Sequence, residues 1–209
     1  MFENILKIKN QMTPYHIKTS NSFIVLEGLQ VKKKHLLLKD SEILSCWRNM
    51  HCKYFFNWTP VTKESTLEWL LQQYLPSSND IMFMIKDRQG GVFGCMAIYN
   101  VSGTSCEVGR FMRGGSGSPS GVMTISLKSM LSWAYTHLNV NNIYLEVFEE
   151  NIQAINLYKR CGFKVTGRVE LNVTVVNGFK IFKPSNCKSN LKGASSAIAL
   201  QMTHQLKYL

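Results

Sequence analysis

The stretch Leu145–Phe163, LEVFEENIQAINLYKRCGF, decides how the rest of the chain is read. Its first residues close the segment NIYLEVF, whose β-branched and aromatic side chains fit a strand. Tyr144, Glu146 and Phe148 then share one face, and Ile143, Leu145 and Val147 the other. From Ile152 to Arg160 the spacing is helical, with Cys161 and Gly162 as its C-terminal stop. Asn151 and Tyr158 lie seven positions apart, close to two helical turns, and therefore share a side with Ile155 between them. Glu149 and Glu150 read as acids complementing the helix dipole.

Upstream, apolar residues at Ile125, Met130, Leu131, Trp133 and Ala134 predict a helix from about Val122 to Leu138. The Gly/Ser-rich loop RGGSGSPSG, Arg113 to Gly121, precedes it and follows the strand SCEVGRFM. Strand, loop, helix, strand, helix is a βαβα unit, which requires the strands on either side of the long helix to run parallel. Before it, IMFMIKD, VFGCMAIYN and SCEVGRFM, joined by RQGG and VSGT, read as an antiparallel meander. Further back, FIVLEGLQV suggests a strand or a pair of short strand pieces, Asp40 an N-cap before SEILSCWRNM, and Thr62 the cap of a helix over Lys63 to Tyr74. Downstream, FKVTGRVELNVTVV and FKIF flank Asn177-Gly178, a strong hairpin signal. The polar stretch PSNCKSNLKGASS reads as a surface loop and AIALQM as a final strand. Residues 1–22 read as a flexible, loosely docked arm and 23–209 as a single domain. The class is α/β, in its mixed α+β form.

Composition bounds the function. With 209 residues and 45% hydrophobic side chains the chain fits one globular unit. Its apolar runs fall far short of a membrane span, and the charged start MFENILKIKN does not suit a secretory leader, so a cytoplasmic location is expected. A net charge of +11 points to an anionic partner, but the basic residues are dispersed, with one tight run at Lys32, Lys33 and Lys34, which argues against nucleic acid. Six cysteines without C-x-x-C spacing and five scattered His suggest no metal site.

The segment quoted at the outset resembles the acyl-CoA-binding signature of the GNAT N-acetyltransferases, with Asn151, Ala154, Ile155, Leu157, Tyr158, Gly162 and Phe163 in the spacing N-x-x-A-I-x-L-Y-x-x-x-G-F. The first half, with Trp47, Arg48, Asn49 and T-x-E-S-T-x-x-W-L, is similar to the subgroup holding ribosomal-protein N-terminal and amino-sugar acetyltransferases. The resemblance implies a central mixed, mostly antiparallel sheet of about six to seven strands with about four helices. It also implies a splayed parallel strand pair that holds acetyl-CoA as cosubstrate, with no metal. The loop departs from the family pattern Q/R-x-x-G-x-G/A: it reads Ser118-Pro119-Ser120-Gly121-Val122-Met123. Contacts to acetyl-CoA are implied for Phe111, Met112, Arg113, Ser118, Ser120, Gly121, Val122, Met123, Asn151 and Tyr158. A phosphate at the N-terminus of the helix that follows is physically sensible, because free N–H groups and the dipole favour an anion there.

Acetyl transfer to an amine needs a proton acceptor, an oxyanion donor and a proton donor for the thiolate. By resemblance Tyr158 is the proton donor. Glu146 and Glu107 compete as base, and either can instead be a structural carboxylate paired with Arg110 or Arg48. The oxyanion donor is implied among the amides of Phe111 to Arg113, with Gly109 permitting a bulge or merely relieving crowding. Trp47, Arg48, Asn49 and Arg110 are the acceptor-binding candidates, although Trp47 also suits a core position. The favoured acceptor is a small-molecule amine, foremost a nucleotide-linked amino sugar for surface polysaccharide. Protein N-termini, aminoglycosides and polyamines are the alternatives. A noncatalytic acyl-CoA-binding module is the reading from another class, and a homodimer is expected by analogy.

Overall fold

A computed structural model describes residues 2–30, 34–115, 117–185 and 196–205. The meander is formed by β3 (Ile81–Asp87), β4 (Val92–Ser102) and β5 (Ser105–Arg113). The crossover helix α4 (Val122–His137) then leads to β6 (Asn142–Phe148), and α5 (Ile152–Arg160) follows. β5 and β6 are parallel, and every other neighbouring pair in the sheet is antiparallel. The hairpin signal holds: β7 (Lys164–Val176) and β8 (Phe179–Pro184) join through Asn177 and Gly178, both at positive φ. The last strand, β9 (Ser196–Gln205), inserts between β6 and β7. The polar stretch preceding it, over 186–195, and residues 32 and 33 of the lysine run lie outside the described residues.

The structure corrects the amino-terminal reading. Residues 2–22 are not a loose arm: they include α1 (Phe2–Lys9) and β1 (His16–Lys18), and β1 pairs with β2 (Ile24–Gly28). Ile5 and Ile8 are buried in the main core. Lys9 is fully buried, donates to the carbonyls of Tyr74 and Ser77, and lies 3.9 Å from the Tyr74 ring centroid. α1 is only eight residues long, too short for its apolar positions to stand out as a periodic stripe among polar neighbours. With these additions the sheet has nine strands, more than the expected six to seven, in the order β1-β2-β3-β4-β5-β6-β9-β7-β8. Among the described residues, five α-helices flank it. The second, α2 (Lys34–Met50), begins before Asp40, which is buried inside it and is not its cap. Thr62 does cap α3 (Lys63–Trp69), accepting from the Ser65 amide, but Leu70–Tyr74 continues as a π-helical turn.

Burial lowers the Lys9 ammonium to about 8, whereas an unfolded chain holds that proton up to about 10.4. Between those values the unfolded state binds more protons, so this group's contribution to stability rises with pH. The urea midpoint of the protein is expected to climb relative to that of Lys9→Met from about pH 8 to 10. Parallel curves would show that Lys9 is not held as described.

The described residues form three hydrophobic clusters: a smaller one gathers Phe148, Leu171, Phe182 and Ala199, and the two larger lie on opposite faces of the sheet. α1, α4 and α5 cover one, where Cys106, Val108, Ile143, Leu145 and Val147 point. α2 and α3 cover the other, with Trp47, Leu70, Met82 and Met112. Glu107, Tyr144 and Glu146 alternate away from the first core and so belong to the α2/α3 face.

Candidate active site

The parallel pairing of β5 with β6 stops early. Ser105, Cys106 and Glu107 are matched to Asn142, Ile143 and Tyr144, and beyond them the strands part. The gap opens into a cleft of about 590 Å³ bordered by both strands, the start of α4, α5 and the segment after α2. It is therefore reached from both faces of the sheet.

A bulge on β5 shapes this gap. Gly109 pairs with Ala97 and Met112 with Cys95, so Arg110 and Phe111 together oppose the single residue Met96. Arg110 adopts φ +52°, the left-handed conformation that a bulge accommodates. One extra residue inverts the alternation that follows. Phe111 consequently does not share a face with Glu107 and Gly109, as simple alternation predicts. Its ring turns to the α4/α5 side, 5.3 Å from that of Tyr158, while Met112 is buried in the α2/α3 core and presents no side chain to the cleft. Gly109 is not the bulge residue. A Cβ there would lie 2.3 Å from the Tyr99 hydroxyl, so its role is to admit that phenol.

On the α4/α5 side, Gly121 at φ +76° enters α4 without a side-chain cap; the Val122 amide donates to the Pro119 carbonyl, and the next residues of the first turn, Met123 and Thr124, border the cleft mouth. Arg113 and Arg160 supply positive charge at this rim, and Arg113 also donates to the Ser118 carbonyl. Ser118 turns its hydroxyl toward the Phe93 and Gly115 carbonyls, and neither Ser118 nor Ser120 lines the cleft. Asn151 caps α5, its side-chain oxygen accepting from the Ala154 amide at 3.2 Å, and borders the cleft. Tyr158 is 6% exposed, and burial holds its phenol well above the ordinary range.

On the α2/α3 side, Glu107 accepts from the Tyr99 hydroxyl and from the Asn100 amide, both at 2.9 Å. Burial raises its carboxyl above the usual carboxylate range, and the nearby charge of Glu146 adds to the effect against the two hydrogen bonds. Glu146 accepts from Gln201 at 3.0 Å. Among the described residues, neither glutamate forms an ion pair with an arginine. Arg110 is instead held bidentately by Asp80 at 2.7 and 2.8 Å and lies over Trp69 and Tyr99.

The acceptor candidates separate. Arg110 borders the cleft, but Trp47, Arg48 and Asn49 do not. Trp47 is buried, and Asn49 exchanges two hydrogen bonds with the Val61 backbone. Glu149 is paired with Arg168 and is not a first-turn helix acid. Sequence reasoning missed Tyr99, His51 and Arg160. Cross-strand alternation from Glu107 would have found Tyr99, and the spacing Gln153, Asn156, Arg160 would have found Arg160. The contact of His51 with the Arg113 carbonyl, 2.8 Å across 62 positions, leaves no local trace. Three arginines and two glutamates among the described residues line the cleft, so only part of the basic excess gathers there. Among the described residues, no His, Cys, Asp and Glu cluster is placed to hold a metal ion, and no helix is long and apolar enough to cross a membrane.

A parallel strand pair opened by a bulge, with an uncapped helix start on one side and a buried tyrosine beneath it, defines an acyl-CoA-dependent acyltransferase. The chain belongs to the GNAT acetyltransferases: residues 35–164 match the Acetyltransferase (GNAT) domain, and acetyl-CoA is its acyl donor. Among curated proteins it is similar to the spermidine N(1)-acetyltransferase of Vibrio cholerae, at 24% identity over 154 residues, covering 71% of this chain and 83% of that protein. The crystal structure of spermidine N-acetyltransferase from Vibrio cholerae in complex with CoA and spermine shares the fold. Its TM-score is 0.65 at 21% identity, over 88% of this chain and 96% of that one. The ribosomal L7/L12 alpha-N-protein acetyltransferase RimL in complex with CoA is similar at TM-score 0.64 and 12% identity, over 92% and 98% of the two chains.

Proposed function

We propose that the acceptor amine enters from the α2/α3 face and is held between Glu107 and Glu146, while acetyl-CoA lies on the α4/α5 face with its thioester in the gap between β5 and β6. The observation that carries this reading is the bulge, which sets Glu107 and Phe111 on opposite sides of one opening. Pyrophosphate meets the first-turn amides of α4, with Arg113 and Arg160 adding charge. Glu107 takes a proton from the ammonium. The freed amine forms the C–N bond to the acetyl carbon, the C–S bond breaks as Tyr158 gives its proton to the departing sulfur, and the second proton lost by the nitrogen restores the tyrosine, directly or through water. The backbone amides of Phe111 to Arg113 meet the developing oxyanion.

For the acceptor, a nucleotide-linked amino sugar is the leading reading. Tyr54, Phe55 and Phe56 at the cleft offer rings for a pyranose or base. The paired carboxylates also favour a second reading, a polyamine, the acceptor named for the Vibrio cholerae enzymes. Assembly into a multimer is part of the proposal, in view of the dodecameric structure of that spermidine acetyltransferase. A free-thiol assay with acetyl-CoA against nucleotide amino sugars, spermidine and peptides with free N-termini separates them. Saturable release with a nucleotide amino sugar, at a kcat/KM at least tenfold above spermidine, is the expected result. The reverse order would establish the polyamine reading.

A further inference from the structure

Arg110 is held in a conformation that its side chain disfavours. Among the described residues it is the one non-glycine position at positive φ that is not an asparagine, and at φ +52° an arginine is strained where glycine is at ease. Such a residue persists only where its surroundings over-determine it, and such residues gather at reaction sites. The surroundings of Arg110 do so on several sides. Its backbone carbonyl accepts from the buried Cys95 thiol at 3.5 Å, and its guanidinium lies over the rings of Trp69 and Tyr99 at 5.0 and 4.7 Å. Both terminal nitrogens donate to Asp80, whose side chain is only 12% exposed. The guanidinium thus forms part of the wall of the main cleft and of a smaller side cavity of about 230 Å³, which Arg48, Ser65, Thr66 and Trp69 also border.

Asp80 is itself fixed from behind. It follows a turn in which the Ser77 hydroxyl donates to the Asn79 side chain and the Ser77 carbonyl accepts from Lys9. The Val101 amide donates to the Asn79 carbonyl and ties that turn to β4. A bidentate guanidinium–carboxylate pair fixes direction as well as distance. From Asp80 a continuous path therefore runs through Arg110 to the Tyr99 ring, and from the Tyr99 hydroxyl to Glu107. The pair is also neutral as a whole. Without Asp80, Arg110 would bring an uncompensated positive charge to the strand that carries Glu107 and weaken that carboxylate as a base.

Resting on the reading of Glu107 as the proton acceptor, we propose that Asp80 is a positioning residue for acetyl transfer: through Arg110 it keeps the β5 bulge in place, steadies Tyr99 against Glu107, and cancels the guanidinium charge beside that carboxylate. The groups that face Glu107 are Tyr99 and Asn100 from β4, Tyr144 and Glu146 from β6, and Arg110 from its own strand. His51, Arg113 and Arg160 line the same cleft. Of all these, Asp80 pairs with Arg110. Two substitutions therefore act on Glu107 with opposite sign. Asp80→Asn uncovers the Arg110 charge, which favours the carboxylate and lowers its pKa. Arg110→Gly removes the cation and leaves the Asp80 anion, which raises it; glycine also suits φ +52°, so the backbone of the bulge is spared.

The test is a pH titration of the glutamate carboxyls by carboxyl-carbon NMR in the full chain, with the Glu107 signal assigned by its loss in Glu107→Gln. Thiol release from acetyl-CoA is measured on the same variants with the acceptors named above. The Glu107 midpoint is expected to fall in Asp80→Asn and to rise in Arg110→Gly, and the acid limb of kcat/KM to move with it. In each variant kcat at the pH optimum should fall roughly tenfold or more, with acetyl-CoA affinity nearly unchanged. A merely structural role would lower activity in both variants and leave the midpoint where it is; that result, or full activity in both, overturns the proposal. If Asp80→Asn does not fold, Arg110→Gly carries the test. Thiol release with none of the acceptors, or a Glu107→Gln variant as active as the unaltered protein, removes the underlying reading and the role of Asp80 with it. An inactive Glu107→Gln variant with unmoved midpoints removes Asp80 alone.

Discussion

Glu107→Gln is expected to lower kcat/KM by roughly 10²-fold or more, the range in which a positioned proton acceptor contributes. The change keeps the shape of the side chain; its amide oxygen can still accept from Asn100 while its NH2 donates to the Tyr99 hydroxyl oxygen, so loss of activity would report the missing charge and basicity. The pH dependence sharpens the test. Glu107 acts only when ionised, and burial together with the Glu146 charge moves its pKa above the ordinary carboxylate range. Activity should therefore fall as pH drops through that raised value. Glu146→Gln removes the like charge and should move the acid limb of kcat/KM to lower pH, whatever it does to acceptor affinity. An acid limb that stays in place would assign the titration to another group. Were Glu146→Gln the variant that abolished turnover, with Glu107→Gln active, the two carboxylates would exchange roles.

Tyr158→Phe should lower kcat at least tenfold, with acetyl-CoA affinity nearly unchanged. The phenol is buried against Phe111 and Phe163, and its removal deletes one oxygen without opening the packing between α5 and the sheet. A phenol whose pKa is raised remains protonated across the working range, and so always has a proton to give. The loss should be larger in kcat than in KM, because the departing sulfur becomes basic only as the C–S bond breaks. Unchanged turnover in this variant would remove Tyr158 from the reaction.

The elements with strong local signals are legible from sequence alone. Asn177-Gly178 sets its hairpin because both positions need positive φ, and Thr62 caps its helix through the Ser65 amide. The parallel β5–β6 pair follows from the order of elements. The less legible features are non-local. α1 is seen only when Ile5 and Ile8 meet the sheet, and the bulge at Arg110 depends on the register against Met96. That one residue decides which side chains face which side, so alternation places Glu107 correctly and Phe111 and Met112 on the wrong faces. Trp47, Arg48 and Asn49 are neighbours in sequence on α2, yet one packs in the core, one enters the side cavity and one clamps Val61. Asp80, the partner of Arg110, lies 30 positions away on another segment, so pairing to Glu107 was the nearer inference from sequence.

The central claim is that the two substrates approach the β5–β6 gap from opposite faces of the sheet. The structure of a complex with CoA and an acceptor amine tests it most directly. The expected result places the pyrophosphate at the first turn of α4, the sulfur within hydrogen-bonding distance of the Tyr158 hydroxyl, and the amine beside Glu107 and Glu146. An acceptor bound on the α4/α5 side, or a CoA sulfur remote from Tyr158, would contradict it.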